Sequence, residues 1–129
     1  VRPGRDATIA TFSLMVGKAL EAAEALAGEG IDLEVIDLRS IRPLDMNTIL
    51  TSVEKTNRLI TVEEGWSTAG IGAEISATVM ERAFDFLDAP VKRVCGSDVP
   101  LPYAANLEKL ALPQAENIAD AARQLCSLN

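Results

Sequence analysis

Histidine is absent from this 129-residue chain, and its absence excludes more chemistry than any other feature of the composition. There is no Ser-His or Cys-His pair to generate a nucleophile and no His-containing zinc site. The two cysteines, Cys95 and Cys126, lie far apart and have no partners at metal-ligand spacing, so no metal site is expected. They read as reduced, buried thiols of a cytosolic protein, with a disulfide as the alternative. Positive charge is in short supply: 12 Lys and Arg against 19 Asp and Glu leave a net charge of −7. That balance disfavours nucleic acid and anionic membrane surfaces, whose phosphates need cations on the protein side. No apolar run approaches the ~20 residues of a membrane span. The chain opens on Val1 with nothing like a signal peptide, which suggests a fragment of a longer polypeptide.

What the chain does have is apolar material: 48% of its residues are hydrophobic, enough for a packed core. The length suits one domain over 1–129, with no repeat, linker or low-complexity tract. Ala7–Phe12 is rich in β-branched and apolar residues and reads as a strand. From Met15 the period changes to 3.6, with Val16, Ala19, Leu20, Ala23, Leu26 and Ala27 on one face and a stop at Gly30. Leu33–Leu38 is a second strand. Asp45 caps a short helix through Met46, Ile49, Leu50 and Val53. Arg58–Glu63 is a third strand. A glycine-bearing turn, Gly65 to Gly72, leads into a long helix carrying Ile75, Val79, Ala83 and Phe86, with Met80 and Phe84 nearby. Val91–Cys95 is a fourth strand. Gly96 to Leu112 is an irregular arm, stiffened by Pro100 and Pro102, and Pro113 opens a last helix with Ile118, Ala122 and Leu125 inward. This order predicts an α/β fold, a three-layer α/β/α sandwich on a mainly parallel (mixed) sheet.

Several motifs suggest catalysis and fail on chemistry. Gly65-Trp-Ser-Thr-Ala69 places Ser67 where a nucleophile elbow would, but Ala69 replaces the closing glycine and no imidazole exists to take the proton. Ser67 or Thr68 is better read as a cap. Gly70-Ile-Gly72 is half of a dinucleotide fingerprint, with Ile75 where the third glycine belongs, and reads as close helix–sheet packing. Glu63-Glu64 at a strand end is the best carboxylate pair for acid/base work, yet a structural ion pair, with Arg39 or Arg42, is the simpler reading. Trp66 serves equally well as a core plug or an interface anchor. The arm Asp98-Val-Pro-Leu-Pro-Tyr103 fits partner contact, because proline lowers the entropy lost on docking. No catalytic or cofactor-binding residue emerges.

Longer stretches carry a family resemblance. Val35-Ile-Asp-Leu-Arg-Ser-Ile-Arg-Pro-Leu-Asp45, Thr61-Val-Glu-Glu-Gly-Trp66, Ala69-Gly-Ile-Gly-Ala-Glu-Ile75, Phe86-Leu-Asp-Ala-Pro90 and Arg93-Val-Cys-Gly-Ser-Asp-Val-Pro-Leu-Pro-Tyr-Ala104 together resemble the C-terminal, transketolase-C-terminal-like domain of pyruvate dehydrogenase beta subunits. The resemblance runs over essentially the whole chain. It implies a heterotetramer in which thiamine diphosphate and magnesium lie between the alpha subunit and the N-terminal domain of beta, outside this fragment. It further implies that the C-terminal domain packs beta against its two-fold mate and receives the peripheral subunit-binding domain of dihydrolipoyl acetyltransferase. By position, Asp88 matches an acidic docking residue, while Leu128 and Asn129 match a terminal segment whose carboxylate contributes. Trp66, Pro100, Pro102 and Tyr103 are candidates for the subunit interface.

The expected function is therefore subunit assembly and acyltransferase docking, within an enzyme that oxidatively decarboxylates pyruvate and passes the acetyl group to lipoamide. The domain alone is expected to be inactive. The expected compartment is the bacterial cytoplasm or the mitochondrial matrix. Two alternatives stay open: the equivalent domain of another thiamine enzyme, such as a branched-chain 2-oxoacid dehydrogenase or a transketolase, and a flavodoxin-like module binding an anion or nucleotide at Gly70–Gly72.

Overall fold

A computed structural model describes residues 2–12, 14–38, 46–63, 71–95 and 114–127. Four strands, β1 (Ala7–Thr11), β2 (Leu33–Asp37), β3 (Leu59–Val62) and β4 (Lys92–Val94), form one sheet in the order β2-β1-β3-β4. All three pairings are parallel, with Ile9 level with both Val35 and Ile60. Among the described residues, the one antiparallel element is a bridge between Arg2 and Val35 on the outer edge of β2. A parallel sheet is stable only when both faces are covered, so its inner strands are apolar on both sides. β1 is covered on both faces: all five of its residues are buried, and its two threonines, Thr8 and Thr11, are hydrogen-bonded.

The helices are α1 (Leu14–Ala27), α2 (Met46–Thr56), α3 (Ile71–Arg82) and α4 (Ala115–Cys126). The chain runs from β1 to β2 in one direction, then returns past β1 to β3 and on to β4. Crossovers between parallel strands are right-handed, so the first places α1 on one face and the next two place α2 and α3 on the other. The core divides accordingly. Met15, Ala19, Ala22, Ala23 and Leu26 of α1 and Ile118, Ala119, Ala122 and Leu125 of α4 pack on Ile9, Val35, Ile60 and Val62. Ile49 and Val53 of α2 and Ile75, Val79 and Ala83 of α3 pack on Ala10 and Leu59. Three layers result, as the periodicity predicts.

Helix ends follow local chemistry. After α1 the chain turns through Gly30, whose φ of +84° suits a residue without a Cβ, and Ile31 N–H returns to Leu26 O at 3.0 Å. At the start of α4, Gln114 and Asn117 form a reciprocal capping box. Arg123 of α4 then clasps Glu29, beyond α1, with bonds of 2.7 and 3.0 Å, and holds that carboxyl below its ordinary range.

Four expectations are corrected. Val16 is half-buried and Ala27 exposed, whereas Met15 and Ala22 are buried: the apolar stripe of α1 keeps Ala19, Ala23 and Leu26 and is shifted toward Met15 and Ala22. The helix expected to carry Phe86 inward ends at Arg82, and Phe84–Phe86 forms a short 3-10 turn. Its change of pitch puts Phe84 and Phe86 outside, while Leu87 and Ala89 pack toward the core. Finally, both cysteines are free but half-buried rather than fully enclosed.

Candidate functional site

In open parallel sheets, ligands gather at the carboxyl ends of the strands where strand order reverses. Here that point lies between β1 and β3, and it is tied off by Thr11 Oγ1, which donates to Val62 O at 2.8 Å. Beside it stands Glu63, only 4% exposed. Its Oε1 accepts from Arg93 Nη2 at 3.2 Å and from Cys95 Sγ at 3.6 Å. The cation the sequence offered for this carboxylate was Arg39 or Arg42; both lie outside the described residues, and the ion pair is made with Arg93. Parallel pairing of β3 with β4 sets Arg93 level with Thr61, two residues before Glu63, a pairing invisible in local sequence.

The first turn of α3 lies against this cluster. A Cβ on Gly72 would come within 2.8 Å of both Glu63 Oε1 and Thr61 Oγ1. The expected role of this glycine, close packing of helix on sheet, therefore has a structural basis. Near the N-terminal end of a helix an anion is stabilised, and the Glu63 carboxylate takes that place. Among the described residues no group of three His, Cys, Asp or Glu side chains could hold a metal ion. Among the described residues, the Glu63 carboxylate beside Gly72 occupies the place a phosphate would take at this helix start. The phosphate-binding alternative at Gly72 meets this obstacle.

A second polar cluster lies under α2. Thr8 Oγ1 is 2.6 Å from Ser52 Oγ and 2.7 Å from Thr56 Oγ1. Ser52 donates to Glu34, which also accepts from Lys55 and from Gly4 N–H. Each hydroxyl has one proton: Ser52 gives its own to the carboxylate, Thr8 gives its own to Ser52, and Thr56 has both Thr8 and Arg58 O, at 3.0 Å, within reach of its own. Burial alone would raise the Glu34 carboxyl; Lys55, Ser52 and Gly4 together outweigh it and hold the group below its ordinary value. The adjoining groove, about 410 Å³, is lined by Glu34, Asn47, Thr48, Thr51, Ser52 and Lys55.

The third place is the turn after α3. Asp88 is exposed, as a docking residue must be. Its backbone N–H donates to Asn57 O at 2.8 Å, and Asn57 Nδ2 donates to Phe86 O at 2.7 Å. Asn57 follows α2 at φ +63°, the left-handed region that asparagine tolerates better than most residues. The signal for Asn57 in the sequence is an asparagine just past a helix end. Trp66, Pro100, Pro102, Tyr103, Leu128 and Asn129 lie outside the described residues, as do Glu64, Ser67, Thr68 and Gly70. Only Asp88, of the partner-binding candidates, is placed.

Among the described residues, four parallel strands with helices on both faces, their order reversing between β1 and β3, define an open doubly wound α/β domain. More narrowly, the chain belongs to the transketolase C-terminal domain family, whose model matches residues 1–118. It is 59% identical over 128 residues to the pyruvate dehydrogenase E1 component subunit beta, mitochondrial, of Dictyostelium discoideum, covering 99% of this chain and 36% of that one. It is 63% identical over 125 residues to subunit beta-1 of Arabidopsis thaliana, covering 97% and 34%. The subunit beta of Rickettsia felis is 56% identical over 126 residues, covering 98% and 39%. The chain thus spans between a third and two-fifths of these relatives' length. Among solved structures, a split-gene transketolase described as an inactive beta4 tetramer superposes with a TM-score of 0.84 at 29% identity, covering 98% of this chain and 40% of that one. A 2-oxoglutarate:ferredoxin oxidoreductase from Magnetococcus marinus shares the fold, with a TM-score of 0.64 at 16% identity over 98% of this chain and 18% of that one.

Proposed function

We propose that this chain is the C-terminal domain of the beta subunit of a pyruvate dehydrogenase decarboxylating component, and that it assembles subunits and docks the acyltransferase rather than performing chemistry. The observation that carries the reading is the 56–63% identity to pyruvate dehydrogenase E1 beta subunits over nearly the whole chain. Identity to the transketolase neighbour is 29%, which favours the pyruvate enzyme over that alternative. In the parent reaction pyruvate is oxidatively decarboxylated and its acetyl group passes to lipoamide, with thiamine diphosphate and magnesium held by the rest of the enzyme. In this reading the domain takes no step in that chemistry, and the pairing of Glu63 with Arg93 fits a structural role for that carboxylate.

The proposed partners are the two-fold beta mate, the alpha subunit and the basic peripheral subunit-binding domain of dihydrolipoyl acetyltransferase. A domain of net charge −7 is matched to a basic module, and charge complementarity of this kind mainly speeds encounter. Asp88, with Leu128 and Asn129, forms the docking contact; Trp66, Pro100, Pro102 and Tyr103 belong to the subunit interface. The compartment is the mitochondrial matrix or, in a bacterium, the cytoplasm, in keeping with the mitochondrial and bacterial relatives. Asp88→Ala in the assembled full-length enzyme tests the docking contact. Affinity for the subunit-binding domain should fall about tenfold or more; unchanged affinity overturns Asp88 as the contact.

A further inference from the structure

Two of the three phenylalanines of this aromatic-poor chain are exposed, two residues apart between Met80 and Asp88: Phe84 is 60% exposed, Met80 44% and Phe86 42%. These are the exposed large hydrophobic residues of the described chain, and they gather in one seven-residue stretch at the end of α3. Single exposed apolar residues need no explanation, but clustered ones mark interaction surfaces. The pitch change explains the placement. The inward stripe Ile75, Val79, Ala83 stops where the 3-10 turn begins.

The turn is also held rigid. Asn57 grips it by two bonds, through its carbonyl to Asp88 N–H and through its amide to Phe86 O. Asn57 N–H in turn bonds Val53 O at 2.8 Å, which fixes the grip to the end of α2. Inward, Leu87 and Ala89 anchor the same segment. A surface fixed in this way loses little conformational entropy when a partner lands on it. Its rim is acidic. Glu81, Asp85 and Asp88 are all exposed, and none is engaged in an ion pair among the described residues. The neighbouring cation in that stretch is Arg82.

We infer that Met80, Phe84 and Phe86, held in place by Asn57, form an apolar seat beside Asp88 for a cationic docking module that presents one or more apolar side chains between its lysines or arginines. The inference rests on the docking reading of Asp88 and adds to it the residues that supply the apolar contact. Carboxylates on the rim draw the partner in and orient it. The aromatic side chains, removed from water on contact, slow its release, as buried aromatic anchors do at interface centres. Asn57 is a positioning residue: it touches no partner and sets the height of Phe86 and Asp88.

The test is calorimetric titration of the assembled full-length enzyme with the basic subunit-binding domain of the acetyltransferase, at two temperatures and two salt concentrations. Phe84→Ser is expected to weaken binding about tenfold, with a less negative heat-capacity change and an unaltered salt dependence. Asp88→Asn is expected to weaken binding and flatten the salt dependence. Asn57→Gly keeps the positive φ and the carbonyl but loses the amide bond to Phe86; it is expected to weaken binding several-fold through a less favourable entropy, with the salt dependence intact. If Phe84→Ser leaves affinity unchanged while Asp88→Asn lowers it, the apolar seat is wrong and the acidic contact stands. If neither variant alters affinity, both readings fall. If Phe84→Ser instead changes the sedimentation of the unbound enzyme and not its affinity, the face belongs to a second copy of the chain and the inference is overturned. An unchanged Asn57→Gly removes the positioning role.

Discussion

Gly72 in α3 and Glu63 at the end of β3 approach so closely that a methyl group on the glycine would meet the carboxylate oxygen at 2.8 Å. The approach lets the helix start lie on the sheet and brings its positive end to the one deeply buried carboxylate of the described residues. Gly72→Ala should therefore cost about 1–3 kcal/mol, the usual penalty of overpacking. A lowered urea midpoint at constant m-value is the expected sign; an unchanged midpoint would mean that the helix lifts freely.

The ion pair beside it allows a sharper test. Removing Arg93 leaves Glu63 buried without its guanidinium partner, which costs about 3–5 kcal/mol in comparable pairs. Arg93→Met alone should therefore destabilise more than Arg93→Met combined with Glu63→Gln, in which the buried Glu63 charge is removed as well. Chemical unfolding of the two variants checks this ordering. A double variant no more stable than the single one would contradict it.

Glu34 gives a pH signature. Its carboxyl is held below the ordinary value of 4.5, so the unfolded chain binds a proton more readily than the folded one. The resulting stability is present above pH 4.5 and is lost as pH falls through the folded value. Acidification should therefore destabilise the wild type more than Glu34→Gln, and the stability gap between them should narrow as pH is lowered below 4.5. Denaturation midpoints from pH 6 downward read this directly; a gap that stays constant would show that the carboxylate is not stabilised by its neighbours.

The parts of the fold legible in the sequence are those set by local periodicity. The strand residues Ile9, Val35 and Ile60 and the helix residues Ile75, Val79, Ile118 and Leu125 are all buried where the pattern put them. What failed to show is what depends on pitch or on distant pairing. The 3-10 turn at Phe84–Phe86 reverses the facing of two aromatics that a continued α-helix would place differently. Arg93 reaches Glu63 only because β4 pairs with β3, thirty residues away in sequence, so nearer arginines were the natural choice. Asn57 is hidden for a similar reason: its partners, Phe86 and Asp88, lie about thirty residues on, in a turn that the helical periodicity through Phe86 does not announce. Asp88 enters only through the family resemblance and not through any local pattern.

The central claim, a docking domain with an acidic contact surface, is tested most directly by titrating the intact assembled enzyme with the basic subunit-binding domain of its acetyltransferase at low and at high salt. The account predicts tight binding that weakens markedly as salt screens the carboxylates. Absence of binding, or binding indifferent to salt, would contradict it.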